Sequence, residues 1–158
     1  MKFHLFFEQS GTFKNELKKL GYEAIDYDIL NDFGQTDVVI DLFAEIEKSH
    51  AREGSIFDNI TENDMIIAFF PCVRFEAQII INMRGDHIEI KKWNDDKKLE
   101  YGMKLNNELN HMYQLVSKLA IVCIKRGIPL VIENPYNATL SHTVLAAKTG
   151  NYRLRSPA

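Results

Sequence analysis

The stretch FHLFFEQSGTFKNELKKLG, residues 3–21, decides the fold. Phe3 to Phe7 form a compact apolar run that stops at the polar loop Glu8, Gln9, Ser10, Gly11, as a buried strand feeding a turn does. The residues after it carry Phe13, Leu17 and Leu20 at helical spacing. Lys18 and Lys19 fall where a last turn favours positive charge, and Gly21 falls where a helix stops. Strand, loop and helix in immediate succession open an α/β unit.

The rest of the chain repeats the pattern. A second strand, Tyr22 to Ile29, carries Asp26 and Asp28 near its end, and a short third strand, Val38 to Ile40, ends at Asp41. A helix is predicted near Leu42 to Arg52, then a continuous apolar strand from Met65 to Phe70, closed by Pro71 and Cys72. Residues 73–98 mix Arg74, Arg84, Lys91, Lys92, Lys97 and Lys98 with acids around a Gly85–Asp86 turn signal, and read as an insertion or hairpin. From Leu99 to Arg126 a long helix places Leu105, Leu109, Met112, Leu115, Leu119 and Val122 on one face and stops at Gly127. A fifth strand, Leu130 to Ile132, closes on Glu133. Apolar rather than alternating strands, interleaved with helices, predict a Rossmann-like, mostly parallel α/β sheet with helices on both faces, as a single domain over residues 1–158.

Bulk composition narrows the setting. Apolar residues make up 46% and charged residues 26% of the 158, which excludes a disordered, collagen-like or disulfide-scaffold chain. A net charge of -3 gives no global attraction to phosphate backbones, so only a local basic patch would serve nucleic acid. Cys72 and Cys123 lie in or beside apolar runs without metal-ligand spacing, and the five histidines are scattered; no metal site is signalled. No apolar run reaches the ~18 residues of a membrane span, so no membrane partner is expected and the chain reads as cytoplasmic.

In parallel sheets ligands bind beyond the carboxyl ends of the strands, and the chemistry-bearing residues fall there. Glu8 to Gly11 followed by a helix, with Asp28 at the end of the second strand, has the layout of an adenosyl-cofactor pocket. It offers a close backbone turn, helix amides and a carboxylate for ribose hydroxyls. The plainer reading is that Gly11 opens the helix and Asp28 caps a strand. Pro71 and Cys72 after the fourth strand, with Glu133, Asn134 and Pro135 after the fifth, bring a thiol and a carboxyl group to one edge. Such a pair suits nucleophilic addition with acid assistance. Separately, Cys72 reads as a small buried hydrophobe and Glu133 as a loop-binding carboxylate.

FEQSGTF resembles the F-x-G-x-G opening of cytosine 5-methyltransferases, FFPC resembles their proline-cysteine motif, and IENP resembles their E-N-V motif. The order of segments over roughly residues 3–137 is also similar to that of small phage and bacterial DNA methylase-like proteins. The resemblance implies a class I S-adenosylmethionine-dependent methyltransferase fold, truncated relative to the full enzymes, acting on DNA or a nucleobase. Cys72 would add to carbon 6 of a flipped-out cytosine while Glu133 hydrogen-bonds the ring nitrogen. Asp28 would hold the ribose and Asp41 the adenine amino group. The loop of Phe7, Ser10 and Gly11, with Pro71 across from it, would hold the rest of S-adenosylmethionine.

The sequence departs from the family at identifiable places. Gln9 stands where the first glycine lets the backbone approach the cofactor, and its side chain can fill the pocket. With 25 residues after Glu133, the later strands and the target-recognition region have no room. Arg153, Leu154, Arg155 is similar to the family's R-x-R element but reads more simply as a solvated basic tail. Asn134, Pro135, Tyr136 is faintly similar to an amino-methyltransferase motif. Trp93 among lysines suits either stacking on a base or packing a hairpin. Two functions therefore follow: a nucleobase methyltransferase, or a catalytically inactive relative that works by binding a protein partner, as a phage-type inhibitor or accessory subunit.

Overall fold

The structure is a computed structural model and describes residues 1–71 and 88–133. Its elements run β1 (Lys2–Phe6), α1 (Thr12–Lys19), β2 (Glu23–Asp28), β3 (Val38–Val39), α2 (Leu42–His50), β4 (Met65–Phe69), α3 (Asp95–Arg126) and β5 (Leu130–Glu133). Short 3-10 turns lie at Ile56–Asn59 and Ile90–Lys92. All five strands are parallel and stand in the order β3-β2-β1-β4-β5. That is a Rossmann-like α/β sheet, and its order reverses between β1 and β4.

Helices cover both faces because alternate strand residues point to opposite sides. On one face Phe3, Leu5 and Ala24 pack with Met65, Ile67, Phe69 and, from α1, Leu17. On the other, Phe6 meets Tyr27 and Phe57 edge-on, at 5.3 and 5.7 Å between ring centroids; Phe57 belongs to the connection from α2 to β4. Lys118 near the end of α3 reaches both carboxylate oxygens of Glu47 on α2 at 2.7 Å, and Arg126 holds the Phe57 carbonyl and Asp58. These contacts fix α2, the 3-10 turn and the end of α3 as one layer.

By compactness the chain divides into two units. The first comprises Met1–Phe70 and Ser117–Glu133 and holds the whole sheet. The second, in its described part, comprises Pro71 and residues 88–116. The insertion expected over residues 73–98 is corrected at its end, since α3 starts at Asp95 rather than Leu99. Asn94 supplies the reason: its side-chain oxygen accepts the Lys97 amide at 2.9 Å, and Asp95 and Asp96 place negative charge in the first turn. The Gly85–Asp86 turn lies outside the described residues. Trp93 packs on the start of α3, with the Lys97 ammonium 4.2 Å from its ring centroid and Tyr101 edge-on at 5.3 Å. Among the described residues no helix is long and apolar enough to cross a membrane.

Charge is buried in the sheet as well as apolar surface. Lys14, the buried residue of α1, places its ammonium 2.9 Å from Asp26 Oδ2 and 3.0 Å from Asp37 Oδ1, and also donates to the Gln35 carbonyl. Replacing Lys14 with Met strands the fully buried Asp26 without its counter-charge, and is expected to cost about 3–5 kcal/mol by urea unfolding. Lys19→Ala, which breaks the solvent-exposed pair with Glu16, is expected to change stability little.

His4 gives the fold an acid-sensitive point. Its Nδ1 is 2.9 Å from the Tyr27 hydroxyl, and burial lowers its pKa from 6.5 to about 4, against the pull of Asp64 and with a smaller push from Lys2. Between those values the unfolded chain binds a proton that the native one does not. Stability is therefore full above about pH 6.5 and falls as the pH drops toward 4, by on the order of 3 kcal/mol. Denaturant titrations between pH 7.5 and 4 should show this slope, and His4→Asn should flatten it. Asp37, held below the usual carboxylate range, contributes only in a lower window, with stability lost as the pH falls below about 3.8.

Candidate functional site

The carboxyl edge of the sheet collects the predicted residues by register. Val39 pairs with Asp28 and Phe69 with Glu133, each at the last position of its ladder. Phe7 follows the last paired residue of β1, and its amide donates to the Tyr27 carbonyl at 2.9 Å. Asp28 and Glu133 thus end β2 and β5, with β1 and β4 between them, roughly 14 Å apart at the usual strand spacing. The reversal of strand order lies between the two acids.

Phe7 opens the site. It leaves β1 with φ of 62°, a left-handed conformation uncommon outside glycine, and its ring meets Phe70 at 5.0 Å and Phe43 at 5.5 Å between centroids. Phe43 and Phe70 lie 5.8 Å apart, so three rings from the ends of β1 and β4 and the start of α2 close into one cluster. The turn at Phe7 is followed by Glu8, which is buried. Its Oε1 lies 2.5 Å from Ser10 Oγ and accepts the Thr12 amide at 3.2 Å, so it caps the first turn of α1. Ser10 is exposed and also lies 2.9 Å from Thr12 Oγ1. Sequence reasoning placed Glu8 in the loop but gave the cofactor contacts to Phe7, Ser10 and Gly11 and assigned Glu8 no role of its own. The signal was a glutamate four residues before the helix start, close enough to cap it.

Gly11 has φ of 69°, and a Cβ there would stand 3.0 Å from the Gln35 Cβ. Only glycine meets both demands. Gln35 belongs to the connection from β2 to β3, so that connection lies against the loop that precedes α1. Gln9 makes a second tie between the two, its side-chain oxygen accepting the Asp32 amide at 3.4 Å, the long end of hydrogen-bond range.

The remaining predicted residues divide by what their groups already do. Asp28 Oδ1 accepts the Leu30 amide at 2.8 Å, a local turn that leaves its second oxygen without a hydrogen bond among the described residues. Asp41 caps α2, its Oδ1 accepting the amides of Phe43 and Ala44 at 3.0 and 3.2 Å. That is a structural duty the sequence reading did not assign to it. Glu133 is exposed at the end of β5, and Pro71 directly follows Phe70 after β4. Cys72 and the segments Asn134–Tyr136 and Arg153–Arg155 lie outside the described residues.

Two further features belong to the scaffold. A cavity of about 270 Å³ lined by residues including Ser49, Arg52, Asp58, Lys125 and Arg126 sits where α2 and α3 end. Those helices run against the strands, so the cavity lies at the opposite edge of the sheet, and its cations face helix carboxyl ends that favour them. Cys123 is fully buried, and burial pushes its thiol up to about 12. Native protein treated with a thiol reagent at pH 8 is therefore expected to leave Cys123 unmodified until it unfolds. Among the described residues no group of three or more His, Cys, Asp or Glu side chains is placed to hold a metal ion.

Comparison of the chain with protein-family models, with curated proteins and with solved structures returned no match.

Proposed function

We propose that this protein is a small S-adenosylmethionine-dependent methyltransferase-like domain acting on a nucleobase, with cytosine carbon 5 as the target that its motifs resemble. One observation carries the reading. The three segments similar to that family, and the two acids to which the resemblance gives cofactor roles, each stand at or just past the carboxyl end of a parallel strand, in the strand order such a cofactor fold uses. The glycine loop follows β1, Asp28 ends β2, Asp41 follows β3, Phe70–Pro71 follow β4 and Glu133 ends β5. A chance match of short motifs has no reason to distribute itself one per strand end.

The residues fit an adenosyl group in specific ways. Asp28 keeps one carboxylate oxygen for ribose hydroxyls, and the exposed Ile29 and Leu30 beside it offer apolar contact to a purine. When bound, S-adenosylmethionine supplies an electrophilic methyl group. The protein's own part is to make the base nucleophilic. The Cys72 thiolate adds to carbon 6, and Glu133, about three strands from Asp28, hydrogen-bonds the ring nitrogen and so favours that addition. Asp41 caps α2 through Oδ1 alone, and its Oδ2, without a hydrogen bond among the described residues, is the oxygen left for the adenine amino group.

Titration of the folded chain with S-adenosylmethionine and S-adenosylhomocysteine tests this directly, followed by methyl transfer to cytosine-containing oligonucleotides. Cys72→Ser and Glu133→Gln are expected to lower transfer by at least about a hundredfold while cofactor affinity stays within about twofold. Absence of binding heat for either ligand in folded protein would sink the proposal.

The Gln9 contact favours a second reading, in which the fold has lost catalysis and acts by binding a protein partner. Gln9 ties the loop before α1 to the connection after β2 across the place where a cofactor's backbone contacts are made. That connection also exposes Ile29, Leu30 and Phe33 among Asp28, Asp32 and Asp41, an acidic apolar surface suited to a basic partner. Gln9→Gly separates the two. Releasing one hydrogen bond of about 0.5–1.5 kcal/mol should raise S-adenosylhomocysteine affinity roughly two- to tenfold if the site is a working one. If it is not, neither form binds, and a stoichiometric partner should be recovered with the wild-type chain.

A further inference from the structure

The cavity of about 270 Å³ at the amino edge of the sheet is walled by the ends of α2 and α3, and it carries more polar groups than those helix ends require. Both helices close on themselves. In α2 the Glu53 amide donates to the Lys48 carbonyl at 2.8 Å and the Arg52 amide to the Ser49 carbonyl at 3.1 Å. In α3 the Ile128 amide donates to the Cys123 carbonyl at 2.9 Å and the Gly127 amide to the Ile124 carbonyl at 3.2 Å. The pattern is the same in each, and it takes up last-turn carbonyls that side-chain cations would otherwise serve. Its left-handed position is Gly127 in α3, with φ of 69°, and Arg52 in α2, with φ of 66°. Glycine adopts that conformation freely and arginine does not. So α2 keeps a strained arginine at the cavity where glycine would close the helix equally well. The other groups of the lining divide by what they already do. Arg126 is held by Asp58 at 2.7 Å and by the Phe57 carbonyl, and Asp58 also accepts the Ser55 amide. The side chains of Arg52 and Lys125 have no hydrogen bond or ion pair among the described residues. Glu53 is the other acid of the lining, so cations are in excess there, although the chain as a whole stands at -3. Ser49 adds an independent sign. It lines the cavity, is 8% exposed, and its Oγ is buried without a hydrogen-bond partner among the described residues. A helical serine ordinarily gives its hydroxyl to the carbonyl four residues back, and a buried hydroxyl left unpaired is costly.

The chemistry of the ligand follows from these donors. Two uncommitted cations and one unpaired hydroxyl around a small concavity suit an anion with two charges and several oxygens. An arginine fork meets two oxygens of a phosphate at once, a lysine ammonium offsets the second charge, and a serine hydroxyl donates to a third oxygen. Ile121 and Val122 give the cavity an apolar wall, which suits a carbon body beside the phosphate. The volume lies just under the ~300 Å³ at which small-molecule sites begin, so that body is short. We propose that this cavity binds a small phosphomonoester, held by Arg52, Lys125 and the Ser49 hydroxyl. The negative ends of the two helix dipoles oppose an anion here, so the site needs both cations and neither is sufficient alone. It lies at the sheet edge opposite Asp28 and Glu133 and is independent of the adenosyl-cofactor reading, whose ligand carries no phosphate.

NMR titration of the isotope-labelled full chain with glycerol 3-phosphate, inorganic phosphate and glycerate tests the proposal. Glycerol 3-phosphate is expected to saturate with a Kd below about 1 mM and to shift amide signals within residues 49–54 and 121–126. Inorganic phosphate, which lacks the carbon body, should bind more weakly, and glycerate, with a single carboxylate charge, at least about tenfold more weakly. Arg52→Gly and Lys125→Ala should each weaken glycerol 3-phosphate by at least about tenfold, and Ser49→Ala by about two- to tenfold. Stability gives a readout that a purely structural role would move the other way. Arg52→Gly relieves a left-handed residue and Ser49→Ala removes an unpaired hydroxyl, so each variant should unfold at a urea midpoint equal to or above that of wild type while binding falls. A clearly lower midpoint in either variant shows that side chain serving the free fold and overturns the proposal. Equal affinity for glycerate, unchanged affinity in Arg52→Gly or Lys125→Ala, or no saturable shift at the cavity with glycerol 3-phosphate also overturns it. Each of these results leaves the adenosyl-cofactor reading standing, since that reading is decided by S-adenosylmethionine binding at the other edge.

Discussion

Lys14 crosses from α1 into the layer beneath the sheet and ends with its ammonium between Asp26 on β2 and Asp37 ahead of β3. Two carboxylates and one ammonium leave an excess negative charge in a region that excludes water, and the local hydrogen bonding resolves it. Asp26 accepts the Asp37 amide at 2.7 Å and Asp37 the Asp26 amide at 3.4 Å, while the Asp37 side chain keeps about a third of its surface in solvent. Burial alone would lower the Lys14 pKa. The hydrogen bonds and charges of Asp26 and Asp37 outweigh it and hold the ammonium above its ordinary value. A group so placed fixes geometry as much as it contributes energy. It pins the start of α1 to β2, and through the Gln35 carbonyl it pins the β2–β3 connection against Gly11. The loop that makes the candidate site has its shape because this cluster is closed.

A second constraint acts from the other side of that loop. Phe7 sits in a left-handed conformation that costs a non-glycine residue on the order of 1–3 kcal/mol and persists only where the surroundings enforce it. Ring contacts with Phe43 and Phe70, each worth about 0.5–1.5 kcal/mol beyond their buried area, supply the offset. The turn that results swings Glu8 inward rather than letting β1 run on in register. Strain at Phe7, burial at Glu8 and the left-handed Gly11 are therefore one device: the chain reverses sharply at the carboxyl end of the central strand, where the sheet order also reverses.

The strands were legible because their apolar runs are short and stop at acids or, after β4, at Pro71, and each formed within two residues of its expected limits. The long helix was legible by its stripe: Leu105, Leu115, Leu119 and Val122 are buried as the spacing requires, while Leu109 and Met112 on the same stripe are half-buried. Its start was missed because Asn94 acts through a side chain, outside any hydrophobic period. The first helix shows the opposite failure. Its apolar positions Phe13 and Leu20 are exposed by 46% and 73%, while the residue it buries is a lysine. No periodicity argument finds Lys14, because its burial depends on two aspartates brought to it by β2 and the connection after it. The same limit applies at the site. Register alone carries Asp28 and Glu133 to one edge, and both were found. Glu8 and the Gln9 tie depend on where side chains turn after a strained residue, which spacing does not encode.

The strengths of the contacts around Gly11 rank how this edge can change. The Lys14 cluster is buried, multiply hydrogen-bonded and costly to open, and through the Gln35 carbonyl it holds the β2–β3 connection beside Gly11. The Gln9 to Asp32 contact is long, lies between exposed or half-buried groups and trades readily for water. Between these extremes lies the Ser10 hydroxyl, which has two acceptors in reach and can leave one for the other. The end of β1 thus carries exchangeable contacts at Gln9 and Ser10 over a floor that the buried charges tie together. Rigidity beneath and exchangeable contacts above let a binding loop admit a ligand without loss of the fold, and whether Gln9 yields is the point on which the catalytic and non-catalytic readings divide.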